Sequence, residues 1–349
     1  AAAVQQGDAA QARGVIRIAG IAVAVAGDAP RQRARLLQID SRDAYARGDF
    51  DRALATGLAS LAIVDAEHGE HRLDAAEAIH VIANAHHGLG DYRAAAEHNA
   101  RAREIREALL GPYHPLVADS WANLGGSKLA LGDLDGAQGC FAQALAIRTE
   151  ALGAEHPAIA DLLLNRGSIA IRRGEQAGAQ RDFEQALEIL ETRLGREHPR
   201  VIPALLNLAG LALERGDVER TAQLAERGLA LLVATHGESH PSVAIALGHL
   251  ADVAGRRGEH ERAAQLLTRA LSVRETALGP THPQLATTLQ GLAESELAID
   301  RHDDAAAHVA RALALAKDET QLASLGALVG RIAAAHASIR RPAPAVRNP

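Results

Sequence analysis

The chain has no methionine, a single cysteine, a single tryptophan and only 2% aromatic residues. One cysteine excludes an intrachain disulfide. Cys140 reads as a small buried helix residue in a reducing, cytoplasmic setting. With so few aromatics the core must be built from Ala, Leu, Val and Ile, whose small side chains let helices approach closely. Lysine is almost missing: Lys128 and Lys317 stand among 37 basic residues, and the net charge is -6. There is no basic stripe with interleaved aromatics, so nucleic acid is not an expected partner. No segment is apolar for long enough to span a membrane, so none is expected there either. Catalytic signatures are missing too. Gly125-Gly126-Ser127-Lys128 fails the phosphate-loop spacing, and no HExxH, GxSxG or kinase set occurs. The expectation is a non-enzymatic protein without cofactor or metal. The skew towards Ala and Arg points to a GC-rich, bacterial source.

What is present is a period. A turn glycine recurs every 42 residues as Gly48, Gly90, Gly132, Gly174, Gly216 and Gly258. A second glycine recurs as Gly27, Gly69, Gly111, Gly153, Gly195, Gly237 and Gly279. A His-Pro pair recurs as His114-Pro115, His156-Pro157, His198-Pro199, His240-Pro241 and His282-Pro283. Three markers on one period indicate a repeat array. In the unit around Leu110 to Ala151, Val117, Trp121, Leu124 and Leu129 form an apolar stripe of helical spacing. Pro115 suits its first position, and Leu131-Gly132-Asp133 ends it. Leu134, Ala137, Phe141, Ala144, Leu145 and Ile147 mark a second helix. One such pair cannot bury its stripe alone and must stack on its neighbours.

Trp121, Leu124, Gly125, Ala137, Phe141 and Ala144 match the spacing of the tetratricopeptide repeat signature. The 42-residue unit, with LG-x-x-HP between repeats and the endings Ile147-Arg148-Thr149-Glu150 and Val273-Arg274-Glu275-Thr276, resembles the kinesin-light-chain type of that family. The resemblance implies an all-α, right-handed superhelical solenoid of antiparallel helix pairs. It also implies a protein- or peptide-binding scaffold whose first helices line a concave groove, fused to a larger signalling or regulatory protein. A structural spacer or a self-association module is the alternative.

Asn123, Asn165 and Asn207 share one register of the first helices, and His249 continues it. Asparagine inside a helix costs roughly 0.5–0.7 kcal/mol against alanine, so a repeated one needs a reason. In the family such asparagines hydrogen-bond the backbone of an extended peptide; equally, they could bridge adjacent helices, and both roles remain open. Asp119, Asp161, Ser168, Arg172, Asp252, Arg256 and Glu294 fall at other positions expected to face the groove. The mixed signs imply a polar surface. Repeats 3 to 6, which keep every marker, are the expected binding region.

The five His-Pro histidines lie one per repeat, too far apart to share a metal, so each is expected to close a turn. His68/His71 and His236/His240 are close enough to chelate but lack further ligands in sequence. Arg166 replaces the leucine seen as Leu124, Leu208, Leu250 and Leu292. It should either pack its stem with its head reaching out, or mark a rotated helix. Pro203, following Pro199, should bend the start of its helix. Asp300 stands where a turn glycine is expected.

Residues 1–29 read as the remnant helix of a preceding repeat, in preference to a signal peptide. With no methionine, either an initiator was removed or the sequence begins inside a longer protein, and the half repeat at the start favours the second. Seven repeats are expected over 30–318, a capping helix over 319–340 and a disordered tail over 341–349.

Overall fold

The computed structural model describes residues 30–68 and 72–339. The remnant helix, His71 and the tail lie outside them. Fifteen α-helices and one 3-10 turn make up the described residues, with no strand. The helices come in pairs. The first unit of the chain, ending at Arg196, holds α1 Pro30–Ala46 with α2 Phe50–His68, and α3 Leu73–Gly88 with α4 Tyr92–Leu110. It continues with α5 Pro115–Ala130 and α6 Leu134–Leu152, then α7 Pro157–Arg172 and α8 Gln176–Leu194. The second unit, beginning at Glu197, holds α9 Ile202–Glu214 with α10 Val218–His236, and α11 Pro241–Arg256 with α12 His260–Leu278. It ends with α13 Leu285–Ala298, α14 His302–Leu315 and α15 Glu319–Ile339. Within each unit the second helix of one pair packs on the first helix of the next. Each unit is therefore a solenoid of stacked helix pairs.

Local chemistry sets these boundaries. The α5–α6 turn shows how. Leu131 is still right-handed, Gly132 takes φ 82, and Asp133 N–H reaches back to the Lys128 carbonyl at 2.9 Å. That closure satisfies the last carbonyls of α5. Asp133 then caps the next helix, accepting from Gly136 N–H at 2.9 Å. At the last such turn Asp300 itself takes φ 60, and Arg301 N–H still bonds the Glu296 carbonyl at 2.9 Å. The turn survives without its glycine.

The His-Pro pairs are helix starts. Nδ1 of His114, His156 and His198 accepts from the N–H of Leu116, Ala158 and Arg200 at 3.1, 3.1 and 3.2 Å. His240 and His282 do the same with Ser242 and Gln284, both at 3.2 Å. Histidine serves here as an N-cap, with proline in the first turn, where its missing N–H is not needed. The second proline, Pro203, changes its helix as expected: Pro199–Val201 is a 3-10 turn, and α9 begins only at Ile202.

The cores are aliphatic with isolated aromatic anchors. In the first unit Val117, Phe141, Ile147, Leu162 and Ile169 join α5, α6 and α7. In the second, Leu206, Leu232, Val243 and Leu247 join α9 to α11, and Leu325, Leu328 and Ile332 of α15 complete the cluster around Leu285, Leu289 and Val309. Gly125 and Gly167 let each first helix rest on the phenyl ring of its partner. A Cβ there would lie 2.9 Å from Phe141 and 2.4 Å from Phe183 respectively.

Candidate functional site

In the first unit, α1, α3, α5 and α7 share one face, and a polar cavity of about 350 Å³ opens on it. Asn84 of α3, Asn123 and Ser127 of α5, and Asp161 and Asn165 of α7 line it. Asn99 of α4 and Arg148 of α6 reach it from behind. The structure therefore brings together three expected residues, Asn123, Asn165 and Asp161.

Their bonding differs. Asn123 Nδ2 lies 3.4 Å from His80 Nδ1, and His80 Nε2 lies 3.2 Å from Asn84 Nδ2. Asn123 thus ties α5 to α3. Asn165 is half-buried and has no hydrogen-bond partner among the described residues. Asp161 is at the exposed rim. Asp119 is engaged by Arg148 Nη2 at 2.8 Å, while Arg148 Nη1 donates to the Ala158 carbonyl at 3.1 Å. Ser168 turns its hydroxyl onto the Leu164 carbonyl of its own helix at 2.9 Å. Arg172 donates to the Leu129 carbonyl at 2.8 Å, a cation at the C-terminal end of α5, where the helix dipole favours it.

In the second unit, Asn207 is half-buried on α9 and likewise has no partner among the described residues. His249 of α11 packs its ring beside Gly210, with Cε1 3.5 Å from where a Cβ would lie. Burial lowers its titration, and a bond with the Leu206 backbone opposes that shift. His249 therefore ties α11 to α9. Burial raises the Asp252 carboxyl; Arg256 opposes this and Glu294 adds to it. Asp252, Arg256 and Glu294 all retain open surface. Arg256 Nη1 reaches within 3.8 Å of a Cβ position at Gly216 in the α9–α10 turn.

Three groups at this face were not singled out from sequence. His80 is held neutral: burial, then the charges of Arg106 and Arg42, push it down to about 4. Arg106 is 3% exposed and donates to Ser120 Oγ at 2.7 Å and Glu77 Oε2 at 2.9 Å, linking α4 to α5 and α3. Asn99 is buried and donates from Nδ2 to Ser127 Oγ at 3.2 Å. A signal existed: Arg106 holds the same place in its repeat as Arg148 and Arg274. His80 and Asn99 carry no periodic mark.

Arg166 keeps the leucine register and turns its guanidinium onto Asp182 of α8. His236 and His240 have ring centroids 4.7 Å apart. Among the described residues no group of three or more His, Cys, Asp or Glu is placed to hold a metal.

The tetratricopeptide repeat profile matches residues 42–108, 116–192, 200–276 and 266–318, well over half of the chain. No curated protein matches the sequence. Among solved structures the chain is similar to BtubC (BKLC) from P. vanneervenii, at 18% identity, covering 75% of this chain and 96% of that one with a TM-score of 0.51. It is similar to a chain of the APC/C hetero-tetramer Cut9-Hcn1, at 13% identity, covering 92% of this chain and 52% of that one with a TM-score of 0.65. A Podosopora anserina protein described as a candidate kinesin light chain matches at 22% identity, 60% and 99% coverage and a TM-score of 0.49. The first two likenesses are likenesses of fold. The chain belongs to the tetratricopeptide repeat family, a scaffold fold typical of protein–protein interaction and generally non-catalytic, and its repeats are 42 residues long.

Proposed function

We propose that this protein is a non-enzymatic scaffold that docks an extended peptide segment along the face of its first helices. The observation that carries this reading is the polar cavity between α1, α3, α5 and α7, with Asn165 unbonded on its wall. An asparagine that bears its helix-propensity cost without an internal partner is free to bond a peptide backbone. The Ala- and Arg-rich composition supports a bacterial origin, and the family analogy supports a cytoplasmic role within a larger signalling or regulatory protein. No described helix is long and apolar enough to cross a membrane.

A second reading, a structural spacer or self-association module, draws on the bridging bonds. Asn123 to His80 and Arg172 to the Leu129 carbonyl both join successive first helices. The two readings separate by mutation, using peptides selected from a phage-displayed library against the full chain. Asn165→Ala should leave the melting temperature unchanged and weaken peptide binding by roughly 0.5–1.5 kcal/mol for one neutral hydrogen bond. Asn123→Ala should lower the melting temperature. If no peptide is selected and the chain assembles with concentration in the ultracentrifuge, the spacer reading replaces the scaffold.

A further inference from the structure

The cavity on the first unit holds an acceptor that the protein leaves unmatched. Asn99 is 3% exposed and lines the cavity. Its Nδ2 donates to Ser127 Oγ at 3.2 Å, and Ser127 passes its own hydrogen to the Asn123 carbonyl at 3.2 Å. Asn99 Oδ1 has no hydrogen-bond partner. His80 lies beside it, and the Asn99 side chain opposes the lowering of its titration, but among the described residues no contact to Asn99 Oδ1 reaches hydrogen-bond geometry. A buried acceptor without a partner is rare in native folds and asks for an explanation. Asn165, on the same cavity wall, uses neither end of its amide.

We infer that this cavity receives the carboxamide of a glutamine or asparagine side chain from the bound peptide, its NH2 donating to Asn99 Oδ1 and its carbonyl accepting from the lining amides, of which Asn165 is unbonded. The inference rests on the peptide-scaffold reading of this face and adds a side-chain class to it.

The competing side chains fit less well. A carboxylate has no hydrogen to give Asn99 Oδ1. An apolar chain leaves both amides unmatched. An ammonium could donate, but it would lose its hydration for a site whose buried imidazole, His80, is itself held neutral chiefly by burial. Burial first, and then the charges of Arg106 and Arg42 against that of Asp119, already disfavour a proton on His80, which touches Asn84 and Asn123, and the lining Arg148 offers a cation no counter-charge. Asp161, which also lines the cavity, lies at the exposed rim, where solvent and salt screen it. A carboxamide is neutral and carries donor and acceptor together. The volume of about 350 Å³ leaves room for such a side chain and its adjoining backbone.

The test uses the full chain and a peptide selected from the phage-displayed library. The position enriched in glutamine or asparagine is resynthesised as Gln, Glu, Lys and Met, and fluorescence anisotropy gives the four dissociation constants. The Gln peptide should bind most tightly, about tenfold or more over Met, because a site built to hydrogen-bond rejects the analogue that cannot. Asn99→Leu should bring the Gln-to-Met ratio close to one. Asn165→Ala, on the half-buried wall, should reduce the ratio as well and serves if Asn99→Leu disturbs the circular dichroism. Loss of the preference in a folded variant supports the inference. Equal binding of the four peptides, or a Gln preference that persists in both variants, overturns it and leaves the scaffold reading standing. Failure to bind any peptide overturns both.

Discussion

Arg166 of α7 donates Nε to Asp182 Oδ2 of α8 at 2.7 Å, and Nη2 to the other carboxylate oxygen. The same two positions carry Leu124 and Cys140 one repeat earlier, and Leu208 and Leu224 one repeat later. The apolar contact of the two neighbouring repeats has been exchanged here for a forked ion pair. The Asp182 side chain is 11% exposed, whereas that of Arg166 is 41% exposed. The carboxylate is the member that depends on its partner.

Arg166→Leu should therefore destabilise the fold, because it leaves Asp182 buried and unmatched, at about 1–3 kcal/mol. Asp182→Leu should cost less, since the arginine can turn to water. The double change to leucine should recover most of the loss. Urea denaturation of the two single variants and the double variant gives the coupling directly; additive effects would show that the pair is not a unit.

Gly167 is filled by its neighbour. Adding a methyl places it 2.4 Å from the Phe183 ring, so Gly167→Ala should cost about 1–3 kcal/mol by overpacking. Gly139, inside α6, has nothing within 4 Å of a Cβ. Gly139→Ala should instead stabilise by about 0.4–1 kcal/mol. Melting temperatures moving in the same direction for both would contradict the close-approach argument.

Stability should fall in mild acid. Burial holds His80 down at about 4 and lowers His249, His98 and His87 as well. Each folded value lies below the ordinary one near 6.5, so the unfolded chain takes up protons first. The contribution is complete above pH about 6.5 and is lost as the pH drops towards about 4. Asp252 and Glu296, both raised by burial, act in the opposite sense and blunt the fall. Unfolding midpoints between pH about 7 and about 4.5 should decline, and His80→Gln should flatten the decline. An unchanged slope in that variant would remove His80 from the account.

Removing α15 should uncover the end of the second unit. Leu325, Leu328 and Ile332 are at most 3% exposed against Leu285, Leu289 and Val309. Full burial of such side chains is worth roughly 1.5–3 kcal/mol each. A chain truncated before Glu319 should aggregate and melt lower, as read by light scattering and calorimetry. A soluble truncation of equal stability would show that α15 is not a cap.

The sequence by itself determined the repeat, because its punctuation is local chemistry. Gly132 closes a turn with atoms no more than five residues away, and His114 caps a helix with the N–H of Leu116. Such contacts hold wherever the motif occurs, so period, pairing and helix ends were legible. The all-α class followed, whereas the close approach of Gly125 to the Phe141 ring came from the structure. Only the tertiary structure decided what the polar residues do. Asn123 and Asn165 hold the same place in successive repeats; yet one finds His80 across 43 residues and the other finds no partner among the described residues. That difference depends on what the preceding repeat presents. Asn99 and Arg166 follow the same rule, since their bonding is set by side chains 28 and 16 residues away. Stacking places those side chains against them, and no local pattern encodes it.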